Sequence, residues 1–461
     1  MKTNWEGKRV LVMGLGLHGG GVSVARFFAR QGATVTVTDL RPQRILRPSL
    51  DKLKGLPIRY VLGRHRNEDF AQADLVIQNP GVPNNSSFLA VARKHGVPIE
   101  NEAGLFFTQA AGRLVGITGT KGKSTVSTLV YEILRKREPG ALLAGNIRTT
   151  AMLDIIWRLS QSTPVVLELS SWQLEGLAKH RISPPVSLIT NIYPDHLNRY
   201  GSYRSYQEAK TIIFRYQKLK DLVVLNYDNP ITRHFSRRAK GRVIWFSLQN
   251  QDKATWTGAS VSAGTIWYHA RKRKKPVMTT GEVQLPGRHN LENVVAAVAL
   301  TSALGVPREI IRSVVRKFRG VSGRLEHVRT LHGVRYINDT TATSPIAAQT
   351  ALTALTGRGP IILIAGGQDK NLPCRDFIRT VNKIVEAVVL LPGTASTKFL
   401  RHLQGTSVIR ASSMSVAVRQ AARLAKSGTQ VLLSPGAASF NLFKNEFDRG
   451  EQFIKAVRKL S

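Results

Sequence analysis

Apolar residues recur along this chain in short continuous runs that alternate with stretches of helical spacing. The first run, residues 8–13, is followed by a glycine-rich turn and by a helical pattern that starts near Val22 and stops at Gly32. A second run, at 33–38, leads to Asp39. This order predicts a βαβ unit at the start of the chain.

The same order begins again further along the chain. A strand-like run at 114–118 leads into a glycine-containing loop and then into a helix that starts at Lys123. Two later runs, 165–169 and 186–190, are apolar enough to be central strands of a parallel sheet.

Two further regions complete the pattern. Polar residues alternate with Trp245, Trp256 and Trp267, which favours antiparallel hairpins within residues 242–284. From Gly320 onward, strand-like runs again alternate with helical patterns. The predicted fold class is α/β with three domains: a Rossmann-like domain at 1–102, a central P-loop-type ATPase domain at 103–320 with a mostly parallel sheet and a small antiparallel region, and a C-terminal Rossmann-like domain at 321–461.

Composition excludes several classes of protein. With 461 residues, 42% of them hydrophobic, and a mean hydropathy of −0.12, the chain can bury several cores and is not wholly disordered. No apolar run approaches the roughly 18 residues that span a bilayer, and the first residues lack the apolar segment of a signal peptide. The single cysteine, Cys374, excludes an intrachain disulfide. We therefore expect a cytoplasmic protein.

The charge of the chain is strongly unbalanced, with 67 Lys and Arg against 29 Asp and Glu and a formal net charge of +38. Charged residues nevertheless make up only 21% of the chain, so the excess reflects scarce acids as much as abundant bases. The bases are spread along the sequence, and the one dense run, residues 271–275, is interpreted as a solvated hairpin. A carboxylate within an apolar strand or a motif therefore requires an explanation.

The first glycine-rich turn lies between a predicted strand and a predicted helix. Gly14, Gly16 and Gly19, with Asp39 at the end of the second strand, match the dinucleotide-binding pattern, in which the turn lets a phosphate approach the backbone. From these residues alone, NAD and another phosphate ligand both remain open.

The loop at 119–125 reads Gly-Thr-Lys-Gly-Lys-Ser-Thr and has a similar position. Its backbone N–H groups can surround a phosphate, Lys123 can reach the β- and γ-phosphate oxygens, and Ser124 or Thr125 can support Mg²⁺. The loop is a shortened P-loop, because Ile117 stands where the usual spacing has glycine. A chance glycine turn is the alternative.

Polar residues at strand ends mark the rest of the predicted site. Glu168 lies within an apolar run, where it is a candidate metal ligand, the alternative being an exposed glutamate on an edge strand. Asp195 and His196 also follow a strand and could bind a metal or a phosphate, although a surface histidine is common. Lys210 by itself is interpreted as a solvated lysine. The last domain has polar groups at equivalent positions, which predict a lined cleft: residues 338–339, 365–370 and 434–439.

Together these motifs resemble the Mur ligase family, over nearly the whole chain and in the order of that family. The segments that carry the resemblance are 119–125, 168–175 (Glu-Leu-Ser-Ser-Trp-Gln-Leu-Glu), 191–200 (Asn-Ile-Tyr-Pro-Asp-His-Leu-Asn-Arg-Tyr), 285–293 (Leu-Pro-Gly-Arg-His-Asn-Leu-Glu-Asn), 338–339 (Asn-Asp) and 434–450, which ends in Phe-Lys-Asn-Glu-Phe-Asp-Arg-Gly.

The resemblance implies an ATP-dependent amide ligase of peptidoglycan precursor synthesis that adds D-glutamate to UDP-N-acetylmuramoyl-L-alanine. ATP would phosphorylate the terminal carboxylate of the acceptor, and the amine of D-glutamate would attack the acyl phosphate. The implied cofactors are ATP, two Mg²⁺ ions and a carbamate on Lys210. UDP replaces NAD as the ligand of the first domain, and we expect a monomer with no specific nucleic-acid partner and no membrane span.

The resemblance also implies a role for individual residues. For catalysis these are Lys123, Glu168, His196 and Lys210, and for metal binding Ser124, Glu168, His196 and Lys210 as its carbamate. For ATP they are Gly119, Thr120, Lys121, Gly122, Lys123, Ser124, Thr125, Asn290, Asn293, Arg324 and Asp339. For the UDP substrate they are Gly14, Gly16, Gly19, Asp39, Arg41, Asn79, Gly81 and Asn146, and for the amino acid Thr343, Lys370, Ser439 and Phe440.

Several positions depart from the family pattern. Lys121 stands where asparagine is usual, Arg148 where glycine is usual, and Thr341 where the common motif has lysine. Glu446 falls where some relatives have a phenylalanine in the glutamate pocket. These departures bear on pocket details and on amino-acid specificity.

Two alternative functions remain open. Another Mur-type or folylpolyglutamate-type ligase would act on a different acceptor or amino acid. A nucleic-acid-binding protein built on an inactive ligase scaffold would account for the charge, but the bases form no tail and nearly every expected catalytic position is filled.

Overall fold

The computed structural model describes residues 4–17, 19–147, 150–195, 197–251, 256–270, 273–439 and 442–461, without the side chains of residues 197 and 198. The chain forms two compact units, one made of Met1–Thr280 with Glu292–Val315 and the other of Gly281–Leu291 with Arg316–Ser461. No helix in the described ranges combines the length and apolar character that crossing a bilayer requires.

The first unit begins with a parallel sheet. Its elements are β1 (Arg9–Met13), α1 (Gly20–Arg30), β2 (Thr34–Asp39), α2 (Gln43–Leu50), β3 (Ile58–Leu62), α3 (Asn67–Gln72), β4 (Leu75–Gln78), α4 (Ser87–Lys94), β5 (Ile99–Glu100) and α5 (Glu102–Gln109). The strands pair in parallel in the order β3-β2-β1-β4-β5. The predicted βαβ start is confirmed, and α1 stops just before Gly32, whose φ of +77° favours glycine.

A second sheet follows in the same unit. The elements of this part of the chain are β6 (Arg113–Thr118), α6 (Lys123–Arg137), β7 (Leu142–Gly145), β8 (Pro164–Glu168), α7 (Ser171–Lys179), β9 (Val186–Ile189), α8 (Leu197–Tyr200), α9 (Tyr203–Arg215), β10 (Leu222–Asn226), α10 (Pro230–Phe235), β11 (Arg242–Ser247), β12 (Gly258–Ser262), β13 (Thr265–Ala270), β14 (Arg273–Thr279), α11 (Arg288–Ala303) and α12 (Arg308–Val315). The strand order is β14-β13-β12-β11-β10-β9-β6-β8-β7, so β8 and β9 are interior strands as predicted.

The antiparallel part of this sheet is smaller than the sequence predicted. Strands β12, β13 and β14 pair in antiparallel fashion, but β11, which carries Trp245, pairs in parallel with both of its neighbours. Trp256 precedes β12 and lies in no strand. The prediction was wrong for β11 because alternation of apolar and polar residues reports a half-buried strand without fixing the direction of its neighbours.

The second unit contains a third sheet. Its elements are β15 (Glu326–Leu331), β16 (Val334–Asn338), α13 (Pro345–Leu355), β17 (Ile361–Gly366), α14 (Arg375–Ile384), β18 (Ala387–Leu391), α15 (Thr394–Leu400), β19 (Ser407–Arg410), α16 (Met414–Leu424), β20 (Gln430–Leu433) and α17 (Glu446–Arg458). The order is β15-β16-β20-β17-β18-β19, and the pairing is parallel except between β15 and β16. The predicted α/β class is confirmed.

Five short 3₁₀ turns accompany these elements in the described residues, at Asp51–Leu53, Met152–Asp154, Ile156–Arg158, Ser236–Arg238 and Thr280–Glu282.

The cores determine where polar chemistry can take place. All residues of the interior strands β8 and β17 are buried, because helices cover both faces of a parallel sheet. Each buried aliphatic side chain contributes about 1.5–3 kcal/mol, so these strands tolerate few polar residues along their length. Polar groups therefore collect at the carboxyl ends of the strands, where loops reach solvent.

Candidate active site

The loop between β6 and α6 has a shape that two glycines make possible. Gly119 has a φ of +145° and Gly122 a φ of +84°. A Cβ atom on Gly119 would lie 1.9 Å from Thr190 Oγ1, and one on Gly122 would lie 2.2 Å from Asn293 Oδ1. Both positions therefore exclude a side chain, and Asn293 is packed against the loop.

The end of β9 holds this loop in place. The Thr120 N–H donates to Asn191 O, and the Lys121 N–H donates to Asn191 Oδ1, both at 2.9 Å. The Thr190 hydroxyl donates to the Lys121 carbonyl at 2.6 Å. Lys123 Nζ donates to two loop carbonyls at 3.0 and 3.1 Å, so the ammonium group lies within the loop. A fixed loop of this kind presents N–H groups and one positive charge together, which favours an anion.

Glu168 is the last residue of β8, and its side chain is buried. The side-chain amide of Asn146 donates to Oε1 at 3.0 Å, and the Asn146 backbone N–H donates to the Glu168 carbonyl at 2.8 Å. The other carboxylate oxygen, Oε2, is buried and has no hydrogen-bond partner in the described part of the chain. The exposed-edge alternative is therefore wrong, since β8 lies between β6 and β7.

Lys210 lies in α9 with only 2% of its surface exposed. Its Nζ donates to Thr118 Oγ1 at 2.9 Å and to the Gly119 carbonyl at 3.2 Å. Burial, assisted by the nearby charge of Lys123, lowers the pKa of Lys210 well below its ordinary value, although Glu168 and another carboxylate oppose the shift. The interpretation of Lys210 as a solvated lysine is wrong, because burial by tertiary packing is invisible in its helical pattern.

The described residues include Asp195 but not every other predicted position. Asp195 forms an ion pair with Lys121, at 3.7 Å between Oδ2 and Nζ. His196, Arg148 and Phe440 lie outside the described residues. Among the residues that are described, no three His, Cys, Asp or Glu side chains form a group that could hold a metal ion.

The turn after β1 is held by Asp39 and Asn79. The three glycines of its motif have φ values between +64° and +95°. Asp39 Oδ2 accepts from the Leu15 and Gly16 N–H groups at 3.0 and 3.1 Å, and Oδ1 accepts from the Arg41 N–H at 2.9 Å. The Asn79 side chain donates to the turn at Gly14 O at 3.0 Å and accepts from the Gly81 N–H at 3.2 Å. Asp39 thus shapes the turn with both carboxylate oxygens, a use that the sequence did not reveal.

In the second unit, the ends of β17 and β20 come together. The backbones of Gln368 and Ala438 exchange hydrogen bonds of 2.9 and 3.0 Å, which brings Lys370 and the buried Ser439 into neighbouring segments. Lys370 Nζ donates to Thr343 Oγ1 at 3.0 Å. Burial lowers the pKa of Lys370, against the opposing charge of a nearby glutamate. Three of the residues predicted to bind the amino acid therefore lie at one sheet edge.

Asp339 follows β16 and is buried. Its Oδ2 accepts from Ser434 Oγ at 2.7 Å, and its Oδ1 accepts from the Leu325 N–H at 3.2 Å. Burial raises the pKa of Asp339 to about 7, although these hydrogen bonds and the charges of Arg324 and Arg449 work against the shift.

Arg449 is a buried residue to which the sequence reasoning assigned no role. It is fully buried in α17, and its guanidinium donates to the Thr340 carbonyl at 2.8 Å and to the Ala437 carbonyl at 3.1 Å. These bonds tie the ends of β16 and β20 together. The sequence did offer a signal for Arg449, because this residue lies within the motif at 434–450. Most arginines are exposed to solvent, so an arginine inside a motif could have been considered as a buried, paired residue.

The predicted residues divide between the two units. The first unit brings together at one sheet edge the loop Gly119–Thr125, Asn146, Glu168, Lys210 and Asn293. The second unit holds Asn290, whose side chain donates to Pro286 O at 2.7 Å, and Arg324, Asp339, Thr343, Lys370 and Ser439.

The sequence of this chain is similar to those of known proteins. Three family models match in chain order: the Mur ligase MurD-like N-terminal domain at residues 8–101, the Mur ligase middle domain at 117–301 and the Mur ligase glutamate ligase domain at 323–436. The UDP-N-acetylmuramoylalanine–D-glutamate ligase of Roseiflexus sp. (strain RS-1) is 46% identical, with 99% of both chains covered. The protein of the same name from Koribacter versatilis is 36% identical, with 99% of this chain and 98% of that protein covered.

Solved structures share the fold at lower identity. UDP-N-acetylmuramate–alanine ligase MurC from Thermotoga maritima has a TM-score of 0.64 at 19% identity, with 98% of this chain and 99% of that chain covered. MurF ligase from the same organism, in complex with ADP, has a TM-score of 0.60 at 18% identity, with both chains fully covered. Because a full-length relative is 46% identical and three domain models match in order, this chain belongs to the Mur ligase family.

Proposed function

We propose that this chain is an ATP-dependent ligase that adds D-glutamate to UDP-N-acetylmuramoyl-L-alanine, a step of peptidoglycan precursor synthesis. The observation that carries the proposal is the gathering of a phosphate-type loop, the carboxylate of Glu168 and the buried amine of Lys210 at one sheet edge. The two relatives bear this activity in their names and match over the full chain, which supports the choice of substrates.

The loop Gly119–Thr125 would bind the phosphates of ATP. Its N–H groups and the N-terminus of α6 favour negative charge, and the ammonium of Lys123 would contact the phosphoryl group that is transferred. This arrangement acts by orientation and by neutralising charge, which is what phosphoryl transfer needs from a protein.

The surroundings of Glu168 fit a divalent cation. Mg²⁺ prefers oxygen ligands, and Glu168 Oε2 is a buried carboxylate oxygen without a hydrogen-bond donor among the described residues. We assign Glu168 and Ser124 to one ion, and His196 and the carbamate of Lys210 to a second. When bound, Mg²⁺ would withdraw charge from the phosphate oxygens.

Lys210 would serve that site as a carbamate. Its neutral Nζ would attack the carbon of CO₂, an N–C bond would form, and one proton would leave the nitrogen for water, so that a cation becomes an anionic oxygen ligand. Only the unprotonated amine has the lone pair for this step. Burial of Lys210, which lowers its pKa, therefore supports the assignment.

The turn of the first sheet would hold the UDP part of the acceptor. We assign to it residues 1–102 as a domain, with Gly14, Gly16, Gly19, Asp39, Arg41, Asn79 and Gly81 as its contacts. Asp39 would act by fixing the turn, because both of its oxygens accept backbone N–H groups. Asn146 would contact the acceptor from the neighbouring sheet.

The remaining assignments concern ATP and the amino acid. We assign residues 103–320 to ATP binding and residues 321–461 to amino-acid binding. Further ATP contacts would come from Thr120, Lys121, Gly122, Thr125, Asn290, Asn293, Arg324 and Asp339, and D-glutamate would be held by Thr343, Lys370, Ser439 and Phe440.

The order of bond changes follows from the reactants. A carboxylate resists attack by an amine at neutral pH because it is anionic and has no good leaving group. Transfer of the γ-phosphoryl group of ATP to the carboxylate would create an acyl phosphate and ADP. The amine of D-glutamate would then attack the carbonyl carbon, and the tetrahedral intermediate would lose phosphate and a proton to give the amide.

The charge of the chain suits these reactants. UDP-sugar, ATP and glutamate are all anionic, and a net charge of +38 would raise their local concentration. We therefore interpret the excess of bases as an aid to substrate capture. The proposal includes a monomer that acts in the cytoplasm, where ATP is supplied.

A ligase assay tests the proposal directly. With ATP, Mg²⁺ and UDP-N-acetylmuramoyl-L-alanine, phosphate release should depend on D-glutamate, with an amide product of the expected mass. Equal rates with D- and L-glutamate, or no rate with either, would contradict it. Other nucleotide-sugar or folate acceptors, assayed with the same amino acid, identify a sister ligase instead.

A further inference from the structure

Glu102 is a buried carboxyl group that the reaction described above does not use. It is the first residue of α5, and the preceding Asn101 caps that helix by accepting from the Gly104 N–H at 2.8 Å. The position at a helix N-terminus favours an acidic side chain. In the sequence, Glu102 stands out as one of only 29 acids and directly precedes an apolar run.

The two carboxyl oxygens of Glu102 face different parts of the first unit. Oε1 accepts from the backbone N–H of Leu153 at 3.2 Å. Oε2 lies beside the first turn of α1, since a Cβ atom on Gly20 would be 3.5 Å from it. The side chain also lines a small cavity with Gly14 and Asn79, two residues that we assign to UDP binding. One carboxyl group thus lies between the UDP turn and Leu153.

Leu153 belongs to a segment that leads back to Glu168. It lies in the 3₁₀ turn Met152–Asp154, and just before this turn the Thr150 carbonyl accepts from the N–H of Gly145, the neighbour of Asn146, at 3.1 Å. Asn146 in turn donates to Glu168 Oε1 at 3.0 Å. A second contact holds the same 3₁₀ turn to α1, because Arg26 donates to Asp154 Oδ1 at 3.1 Å. The turn is therefore attached to α1 directly, and Glu102 lies between the turn and the first residues of α1.

We propose that Glu102 is a positioning residue, which holds Leu153 next to the first turn of α1 and thereby aligns Asn146 and Glu168 with the bound acceptor. This inference rests on the proposed function of the UDP turn and of Glu168. Glu102 would not touch the reacting atoms. The position of Glu168 would thereby depend on α1, the helix that follows the turn assigned to UDP.

The protonation of Glu102 is compatible with this role. Burial raises the pKa of Glu102 to about 7, with a smaller contribution from Asp154, while the N–H groups of Leu153 and Met152 oppose the shift. Either protonation state keeps an oxygen that can accept from Leu153. An amide oxygen can do the same, so Glu102→Gln should preserve the contact, whereas Glu102→Leu should remove it.

Three variants of the full-length enzyme test the proposal. Glu102→Leu should lower kcat about 10- to 100-fold, because displacement of a reacting group by about 1 Å has effects of this size. Glu102→Gln should stay within about two-fold of wild type. Glu102→Asp shortens the side chain by one methylene and should also lower kcat, which keeps the test available if Glu102→Leu does not fold. As a matched control, Glu100→Leu removes the Lys179 and His180 contacts of a nearby glutamate and should leave kcat unchanged.

Hydrogen exchange separates positioning from stability. The amide of Leu153 should exchange faster in Glu102→Leu than in wild type, and at the wild-type rate in Glu102→Gln and Glu100→Leu. A lower unfolding temperature with unchanged kcat per folded molecule, or a loss in Glu102→Gln equal to that in Glu102→Leu, would overturn the proposal. An inactive wild-type enzyme would refute the proposed function instead, because the exchange measurement requires no turnover.

Discussion

Asn146 and Glu168 are joined by two hydrogen bonds, one of 3.0 Å between the Asn146 amide and Glu168 Oε1 and one of 2.8 Å between their backbones. The first bond occupies one oxygen of the carboxylate. The other oxygen, Oε2, stays buried without a donor among the described residues. Leaving such an acceptor unpaired costs about 1–3 kcal/mol or more for a charged group, and the cation that we propose for this site would offset that cost.

Replacing Glu168 by glutamine tests this explanation. Glutamine has nearly the same volume and its carbonyl oxygen can still accept from Asn146, but it lacks the negative charge that would hold Mg²⁺ in the proposed site. Glu168→Gln should lower kcat by about 1000-fold, and removal of Mg²⁺ with EDTA should abolish the wild-type activity. The measurement is phosphate release as Mg²⁺ is varied. Glu309→Gln, at an exposed position on α12, is the control, and a wild-type Mg²⁺ dependence in Glu168→Gln would refute the metal assignment.

The proposed carbamate on Lys210 leads to a separate prediction. Lys210→Arg keeps a cation but has no neutral amine, so turnover should fall by about 1000-fold. Wild-type enzyme in CO₂-free buffer should lose activity, and bicarbonate should restore it. Lys218→Arg, just after the end of α9, should behave as wild type. Activity of Lys210→Arg, or full activity of the wild type without CO₂, would contradict carbamylation.

A comparison of Gly122, in the loop between β6 and α6, with Gly305, outside that loop, separates backbone strain from steric exclusion. Both glycines have a positive φ, +84° and +73°. A Cβ atom on Gly122 would collide with Asn293, whereas a Cβ atom on Gly305 would have nothing within 4 Å. Alanine at either site should destabilise the fold by about 1–2 kcal/mol. Only Gly122→Ala should also raise the KM for ATP, by about ten-fold or more. Equal KM values in the two variants would show that the close packing against Asn293 does not matter for ATP.

Much of the fold could be predicted because the same local pattern recurs. The strands β1, β6 and β8 are mostly apolar, and the glycines at 14 and 119 directly follow two of them, so the order of strand, turn and helix is readable from the sequence. Parallel neighbours then place the turns at one edge, which is why Glu168 could be predicted as a site residue.

The rest depended on tertiary packing, which single positions do not reveal. Lys210 has the spacing of a solvated residue, and only the packing of α9 against β6 buries its amine. Asp39 matches a ribose-binding pattern, but the number of N–H groups that converge on it is a property of the folded turn. The direction of β11 likewise depends on where β10 and β12 lie.

The buried carboxyl group of Asp339 predicts how stability varies with pH. Its pKa is raised from 3.8 to about 7 in the folded state, so folding favours the protonated form. The stabilisation that protonated Asp339 gives the fold is therefore fully present below about pH 4 and is lost as the pH rises towards 7. Above about pH 7 the free energy of unfolding no longer changes because of this group. Asp339→Asn remains neutral, so its free energy of unfolding relative to wild type should rise by up to about 4 kcal/mol between pH 4 and 7. Asp376→Asn, at an exposed position, is the control, and a difference independent of pH would refute this prediction.

Lys370 provides the last prediction, which concerns the amino acid. Its ammonium donates to Thr343 Oγ1 at 3.0 Å, so in the proposed pocket it would present a fixed positive charge to a carboxylate of D-glutamate. A charge-assisted hydrogen bond of this kind contributes about 1.5–3 kcal/mol, so Lys370→Met should raise the KM for D-glutamate about 10- to 100-fold. The KM for ATP should stay within about two-fold, because Lys370 is not among the residues that we assign to ATP, and the exposed Lys426→Met should change neither constant. If Lys370→Met lowered kcat with an unchanged KM for D-glutamate, the lysine would act in the chemical step and not in binding the amino acid.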